Sequence, residues 1–346
     1  MKKTLTLLAA ALGLCLAAPS IVWAQAGGPG GSGGGSGLTD ADKATTVNSN
    51  TQSQINATVT FTLAGINSAI QQGLAPHTAA PRTSMMFGTV PDACETACDS
   101  PRRWLAWVQG GGGQSINSLQ TGGYSLANYG SQVGLQTQLS DKFMLGISAS
   151  WQGTNGSLNG GISSTSSVWG IAPYAAWQFD DHWNVAAVIG YSTGWTWLNS
   201  GLPYAAAFQN SQWTFQGSVN GTYSAGDFVL APLVSITYVP TTVFGYTDSV
   251  GSFIPGRSTA LTRGSIGGTV SLPLNGWQPY VRATLDHDFA MPAGAEGNGD
   301  TGGTVGGGAT VPITEAIWFS VDGGYNSIGR TGLTLWSATA RLNVRF

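Results

Sequence analysis

Charge is scarce in this chain: 8 % of its 346 residues are Asp, Glu, Lys or Arg, against about 25 % in an ordinary soluble domain. A protein that met water over its whole surface would carry more. Long apolar runs are scarce as well. Beyond the N-terminus no stretch of 18 consecutive apolar residues occurs, so spanning helices are excluded. A basic stripe is also missing, which removes the electrostatic footprint of nucleic-acid binding. Histidine and cysteine are too sparse for metal chemistry. His77, His182 and His287 are scattered, and Cys94 and Cys98 in PDACETACDS have no further ligands nearby. In an exported, oxidising setting those two cysteines read as a local disulfide, and neither metal nor cofactor is expected.

Glycine and aromatics, by contrast, are plentiful: 51 Gly, 13 Trp, 10 Tyr and 12 Phe. So many aromatics with so few charges exclude the usual disordered class. Lys2 and Lys3, an apolar run from Leu5 to Ala18, and Val22-Trp23-Ala24 read as a cleaved secretory signal over residues 1–24. An anchoring helix is the alternative, but the run is short and Pro19 breaks it. Its removal leaves 11 basic and 16 acidic residues, a net charge of about −5. Residues 25–38 form a Gly/Ser-rich linker, residues 39–100 a short N-terminal segment, and residues 101–346 a domain of regular alternation.

Twelve strand-like segments can be drawn in that domain: 103–112, 124–139, 143–153, 165–179, 183–194, 211–225, 228–240, 258–274, 277–288, 302–313, 318–327 and 334–346. Each is near or above the length of a tilted membrane strand. Tight polar turns (Ser140-Asp141-Lys142, Asp180-Asp181-His182, Gly226-Asp227, Asn275-Gly276, Thr314-Glu315) alternate with longer Gly/Ser/Asn-rich connections. Short turns at one end and long loops at the other mark a transmembrane barrel. The faces agree. Phe143, Leu145, Ile147, Ala149 and Trp151 alternate with Met144, Gly146, Ser148, Ser150 and Gln152. Aromatics bound the apolar faces, with Phe143, Trp183, Phe228, Trp277 and Phe346 at one level and Trp151, Tyr191, Tyr238 and Trp336 at the other. These nine are the expected girdle residues, separated by roughly 20–25 Å of tilted strand. A soluble sandwich also alternates, but it would carry more surface charge. The fold class is therefore all-β, a transmembrane antiparallel barrel of about twelve strands lying in a lipid bilayer.

Residues 55–63 are ambiguous. Ile55, Ala57, Val59, Phe61 and Leu63 alternate as in a strand, while Ile55, Val59, Leu63, Ile66, Ile70 and Leu74 form a helical stripe. Length and an even strand count favour a helix over about 51–74, capped by Asn50 or Thr51, in or near the pore. Arg282, Asp286, Asp322, Arg341 and Arg345 are expected to face the lumen and to pair with that segment or tune ion passage.

The barrel resembles the C-terminal translocator domain of autotransporters, the type V secretion family. The resemblance rests on the strand count, the helix candidate ahead of the first strand, Gly-rich strands such as Trp169-Gly170-Ile171-Ala172-Pro173-Tyr174, and the terminal Phe346, an assembly signal shared with outer-membrane barrels generally. It implies residence in the outer membrane of a Gram-negative bacterium, assistance by the barrel-assembly machinery, and a helix ending inside the pore. Only about 76 residues separate the signal from the first strand, so little or no passenger is expected, and the role is anchoring or passage rather than catalysis. Two alternatives are a small porin-like channel and a surface-exposed adhesin with an unknown ligand, displaying loop residues Tyr204, Phe208, Phe244, Tyr246, Phe253 and Ile254. A rim hydrolase built on Asp286-His287-Asp288 is weaker still, because neighbouring strand residues point to opposite faces.

Overall fold

A computed structural model describes residues 40–74, 104–119, 123–158, 161–200, 205–274, 276–292 and 295–346. The expected signal, the linker, Cys94 and Cys98 lie outside the described residues. Twelve long strands form one sheet: β1 (Trp104–Asn117), β2 (Tyr124–Ser140), β3 (Phe143–Leu158), β4 (Ile162–Gln178), β5 (Trp183–Asn199), β6 (Ala205–Gly221), β7 (Phe228–Val243), β8 (Arg257–Ser271), β9 (Gln278–Ala290), β10 (Thr301–Thr314), β11 (Ile317–Ile328) and β12 (Leu333–Arg345). Every neighbour pair is antiparallel, and β12 returns to β1 in unbroken register from Leu105↔Arg345 to Asn117↔Leu333. The sheet is thus a closed barrel, the condition that lets strands cross hydrocarbon without unpaired backbone. At the tight turns Gly226 and Gly276 adopt φ of 62° and 88°, a region open to glycine at no steric cost.

Several strands run further than their composition suggests. Parts of 154–164 and 195–210, expected as loops, are strand: β3 continues to Leu158 and β5 to Asn199. Ser, Thr and Asn there resemble loop chemistry, but a strand that has left the membrane is wet outside and faces a polar lumen inside. Polar residues suit both faces.

Inside the barrel lies one long helical rod: α1 (Asp40–Ala57), a π-helical turn (Thr58–Leu63) and α2 (Ala64–Gly73). At 1.5 Å per residue it is about 50 Å long. The helical reading of 55–63 is the one adopted, but the start is Asp40 rather than a cap at Asn50 or Thr51. The Thr-rich TVTFTL stretch coincides with the π turn, and Thr60 Oγ1 donates back to the carbonyl of Asn56 at 2.7 Å, a local competitor of the α ladder. The apolar stripe changes wall across this turn. Ile55 packs on Val239 of β7 and Leu261 of β8, whereas Leu63, Ile66, Ile70 and Leu74 pack on Met144, Ala172, Tyr174 and their neighbours on β3–β5.

Candidate functional site: the helix-filled pore

The wall holds the lower half of the rod by its backbone. Gln109 Nε2 donates to the carbonyl of Phe61 at 3.4 Å, Gln132 Nε2 to that of Thr62 at 3.4 Å, Gln136 Nε2 to that of Ala69 at 2.9 Å and Gln138 Nε2 to that of Gly73 at 2.8 Å. Arg341 donates to the Gly65 carbonyl, and Arg345 Nη2 to that of Gln72 at 3.3 Å. A carbonyl oxygen has two lone pairs, so it can accept from the wall while keeping a helical bond. Two glycines permit the close approach. A Cβ on Gly65 would fall 2.3 Å from Gln132 Oε1, and one on Gly73 would fall 2.3 Å from the Met144 sulfur.

The upper half is held by side chains. Asn50 donates to Thr196 Oγ1 at 3.2 Å and accepts from Ser164 at 2.8 Å. Gln54 meets Thr196 and Asn210 at 3.0 and 2.7 Å, and Gln52 reaches Asn298 at 3.1 Å. These three helix side chains and their four wall partners are all buried, so the bonds replace water rather than compete with it. Near the top Lys43 Nζ lies 2.7 Å from Asp248 in the β7–β8 connection, and Arg257 Nη1 reaches the Ala44 carbonyl at 3.0 Å. The rod therefore enters at the long-loop mouth and ends beside the β2–β3 turn.

Burial alone would raise the Asp248 pKa, but bonds from Lys43 and from the backbone N–H groups of Ser252 and Val250 outweigh it and hold the carboxyl below its ordinary 3.8. A folded value below the unfolded one means the stabilisation is complete above about pH 4 and is lost as pH falls through the folded value. A spin label at Ala44 should accordingly be immobile from neutral pH to about pH 4 and gain mobility as the pH falls through the lowered folded value. Asp248→Asn should give the mobile spectrum throughout. An unchanged spectrum in strong acid would rule out this latch.

The five expected lumen charges all face inward but divide in role. Arg341 and Arg345 engage the rod. Arg282 Nη2 instead lies 2.6 Å from Asp322 Oδ1 on β11, where Tyr280 also donates at 2.8 Å, and Asp286 accepts from Thr284 and Thr304 at 3.3 and 3.4 Å. Arg341 and Arg345 further cover the Trp107 and Trp318 rings at 4.5 and 5.4 Å, favourable cation–π distances. Sequence reading missed the glutamine column, although Gln132, Gln136 and Gln138 share one strand parity. It also missed the buried group in which Asp288 takes both Arg263, at 2.6 Å, and Arg330, at 2.7 Å.

Asp286 and Asp288 point into the lumen while His287 sits on the outer face, bonded to Thr301 at 3.0 Å. The hydrolase constellation is thereby taken apart. Among the expected loop residues, Tyr204 lies outside the described residues, and Phe208, Tyr246 and Ile254 are buried in the mouth; Phe244 and Phe253 stay exposed. The nine girdle residues all point outward at the strand levels described, with Phe143, Trp151, Trp183 and Trp336 half-buried and the other five exposed.

An apolar collar lines the mouth on its β2–β7 side. Val47 of the rod is fully buried among Leu126, Leu158, Ile162, Leu198 and Phe208. Below it the rod leans on β1–β5 and leaves a cavity of about 330 Å³, of mixed polar and apolar lining, against β6–β11, reaching Asp181 and His182 at the turn end. The cavity thus lies towards the short-turn end and the apolar collar towards the long-loop end.

A closed twelve-stranded barrel with a helix threaded from the long-loop mouth defines an outer-membrane barrel of the translocator class. The chain belongs to the autotransporter family: a match to the autotransporter beta-domain spans residues 106–326. No curated protein matches it in sequence. It is similar in structure to the translocator domain of the autotransporter NalP from Neisseria meningitidis, with TM-score 0.61, 13 % identity and coverage of 72 % of this chain and 90 % of that one. The beta domain of the Bordetella autotransporter BrkA gives 0.60 and 16 %, covering 70 % and 100 %; the transport unit of AIDA-I from Escherichia coli gives 0.58 and 14 %, covering 72 % and 93 %. At these identities the likeness is one of fold. The family places the protein in the outer membrane, with its outward face on lipid, and makes it a transport and secretion domain.

Proposed function

We propose that this barrel is a translocator in its parked state, holding its own N-terminal helix in the pore and presenting the chain that precedes Asp40 at the cell surface. The observation that carries this is the direction of the rod, which is latched at the long-loop mouth by Lys43–Asp248 and clamped at the turn end by Gln138 and Arg345. Its work is passage and anchoring, without chemistry of its own. The outward, apolar face of β12 and the terminal Phe346, 52 % exposed, are the features an assembly machinery would meet, and we assign them that part.

An epitope inserted ahead of Asp40 tests the reading. Whole cells should bind the antibody without permeabilisation, to nearly the level of permeabilised cells. Signal that appears only after permeabilisation would reverse the proposed direction. The porin-like alternative predicts open conductance from the intact chain, which the rod in the pore argues against.

A further inference from the structure

On β5 the outward residues continue past the upper aromatic girdle. Tyr191 belongs to that girdle: its ring lies 5.0 Å from Trp213, which stacks on Phe215. Four and six residues further on come Trp195 and Trp197, 49 % and 48 % exposed. Their outward direction is fixed by the residue between them, Thr196, which is fully buried and bonded to the rod. With about 3.3 Å per residue and a tilt of about 40°, they stand roughly 10 and 15 Å above the girdle. Polar head groups add only about 5–8 Å to each side of the hydrocarbon. Acyl chains and phosphates therefore do not reach these indoles.

Their neighbours are small and neutral. Trp195 pairs with Ser167 and Gln209, and Trp197 with Thr165 and Ala207. Among the described residues neither indole has a ring partner, and neither N–H is bonded to protein. No charged side chain flanks them on β4, β5 or β6 at this height, so a phosphate finds no counter-charge. Two flat π faces, rimmed by hydroxyl and amide groups, suit a neutral sugar ring, whose C–H face meets the negative face of the indole while its hydroxyls bond to the rim.

We propose that the Trp195–Trp197 face binds the sugars of glycolipid head groups in the outer leaflet. The face is continuous with the lipid-facing girdle of the same strand, so the occupant is the head group of a lipid already lying against the barrel. This goes beyond passage through the pore and rests only on the long-loop end pointing outward.

The test uses the full chain in detergent, titrated with lipopolysaccharide carrying a complete core and with the same lipid lacking the core sugars, which leaves only the acylated, phosphorylated disaccharide. Bound lipid is counted by native mass spectrometry. The complete core should be retained at least about fivefold better, equivalent to ~1 kcal/mol. The variant Trp195→Ala with Trp197→Ala should lose that preference and keep its heat-modifiable barrel. Equal retention of both lipids by the wild-type chain would overturn the proposal, whether or not the variant folds. A preference unchanged in the folded variant would also overturn it, as would a wild-type dimer that the variant converts to monomer.

Discussion

Removing residues 40–73 is expected to turn a nearly silent barrel into a steady conductor in planar bilayers. In the intact protein Val47 fills the collar at the long-loop mouth and the rod occupies most of the section below it. The current should be limited by the rod. Without the rod, the inward face is a ring of Gln, Ser, Thr and Asn, wide enough in a twelve-stranded barrel to conduct, and the rise should be on the order of tenfold or more. The barrel should survive, because β1 to β12 close through their own ladders. Retained heat-modifiable mobility would show this. A deletion variant as silent as the intact chain would mean that something other than the rod blocks the pore.

Arg341→Met should give the second largest effect. Arg341 is 3 % exposed and donates to both the Gly65 carbonyl and Gln109 Oε1, the latter at 2.7 Å, while its guanidinium lies over Trp107. Charge-assisted hydrogen bonds contribute about 1.5–3 kcal/mol each. Part of that is returned because the buried cation no longer has to be desolvated. We expect a net loss of about 3 kcal/mol in the attachment of the rod. It should be read as brief openings in single-channel records and as easier release of the rod in denaturant. Arg341→Lys, which keeps charge but loses the fork, should fall between. Wild-type behaviour of the methionine variant would mean that the glutamine column suffices alone.

Much of this was legible in the sequence. Alternation with period two and the contrast between turns and loops lead to the twelve strands, and scarce charge leads to the membrane. The upper half of the rod was illegible for a physical reason. A helix is recognised by its apolar stripe, and in Asp40–Ala57 that stripe is thin: apart from Val47 and Ile55, most of what it buries is polar and meets polar wall residues. Asp40 to Ser49 carry too little apolar signal to extend the helix expected from about residue 51, and the polar side chains of Asn50, Gln52, Ser53 and Gln54 show their purpose only when Thr196, Asn298 and Asn128 stand opposite them. The lower half, with Leu63, Ile66 and Ile70 against Met144 and Ala172, is an ordinary amphipathic contact and was readable as one. The carbonyl clamp left only a faint trace. Strand parity puts Gln132, Gln136 and Gln138 inside, but no sequence rule says that they will seek a helix backbone.

The rod lies in the pore with α1 at the long-loop end, a placement that disulfide trapping can read out. Ser53 Oγ and Asn128 Oδ1 are 3.4 Å apart, one on α1 and the other on β2. In a chain whose native cysteines are replaced by serine, Ser53→Cys with Asn128→Cys should crosslink in intact cells under mild oxidation, and a protease cut engineered between the two positions should leave the fragments joined until reduction. Quantitative release of the fragments without reduction, from a correctly assembled barrel, would contradict the account.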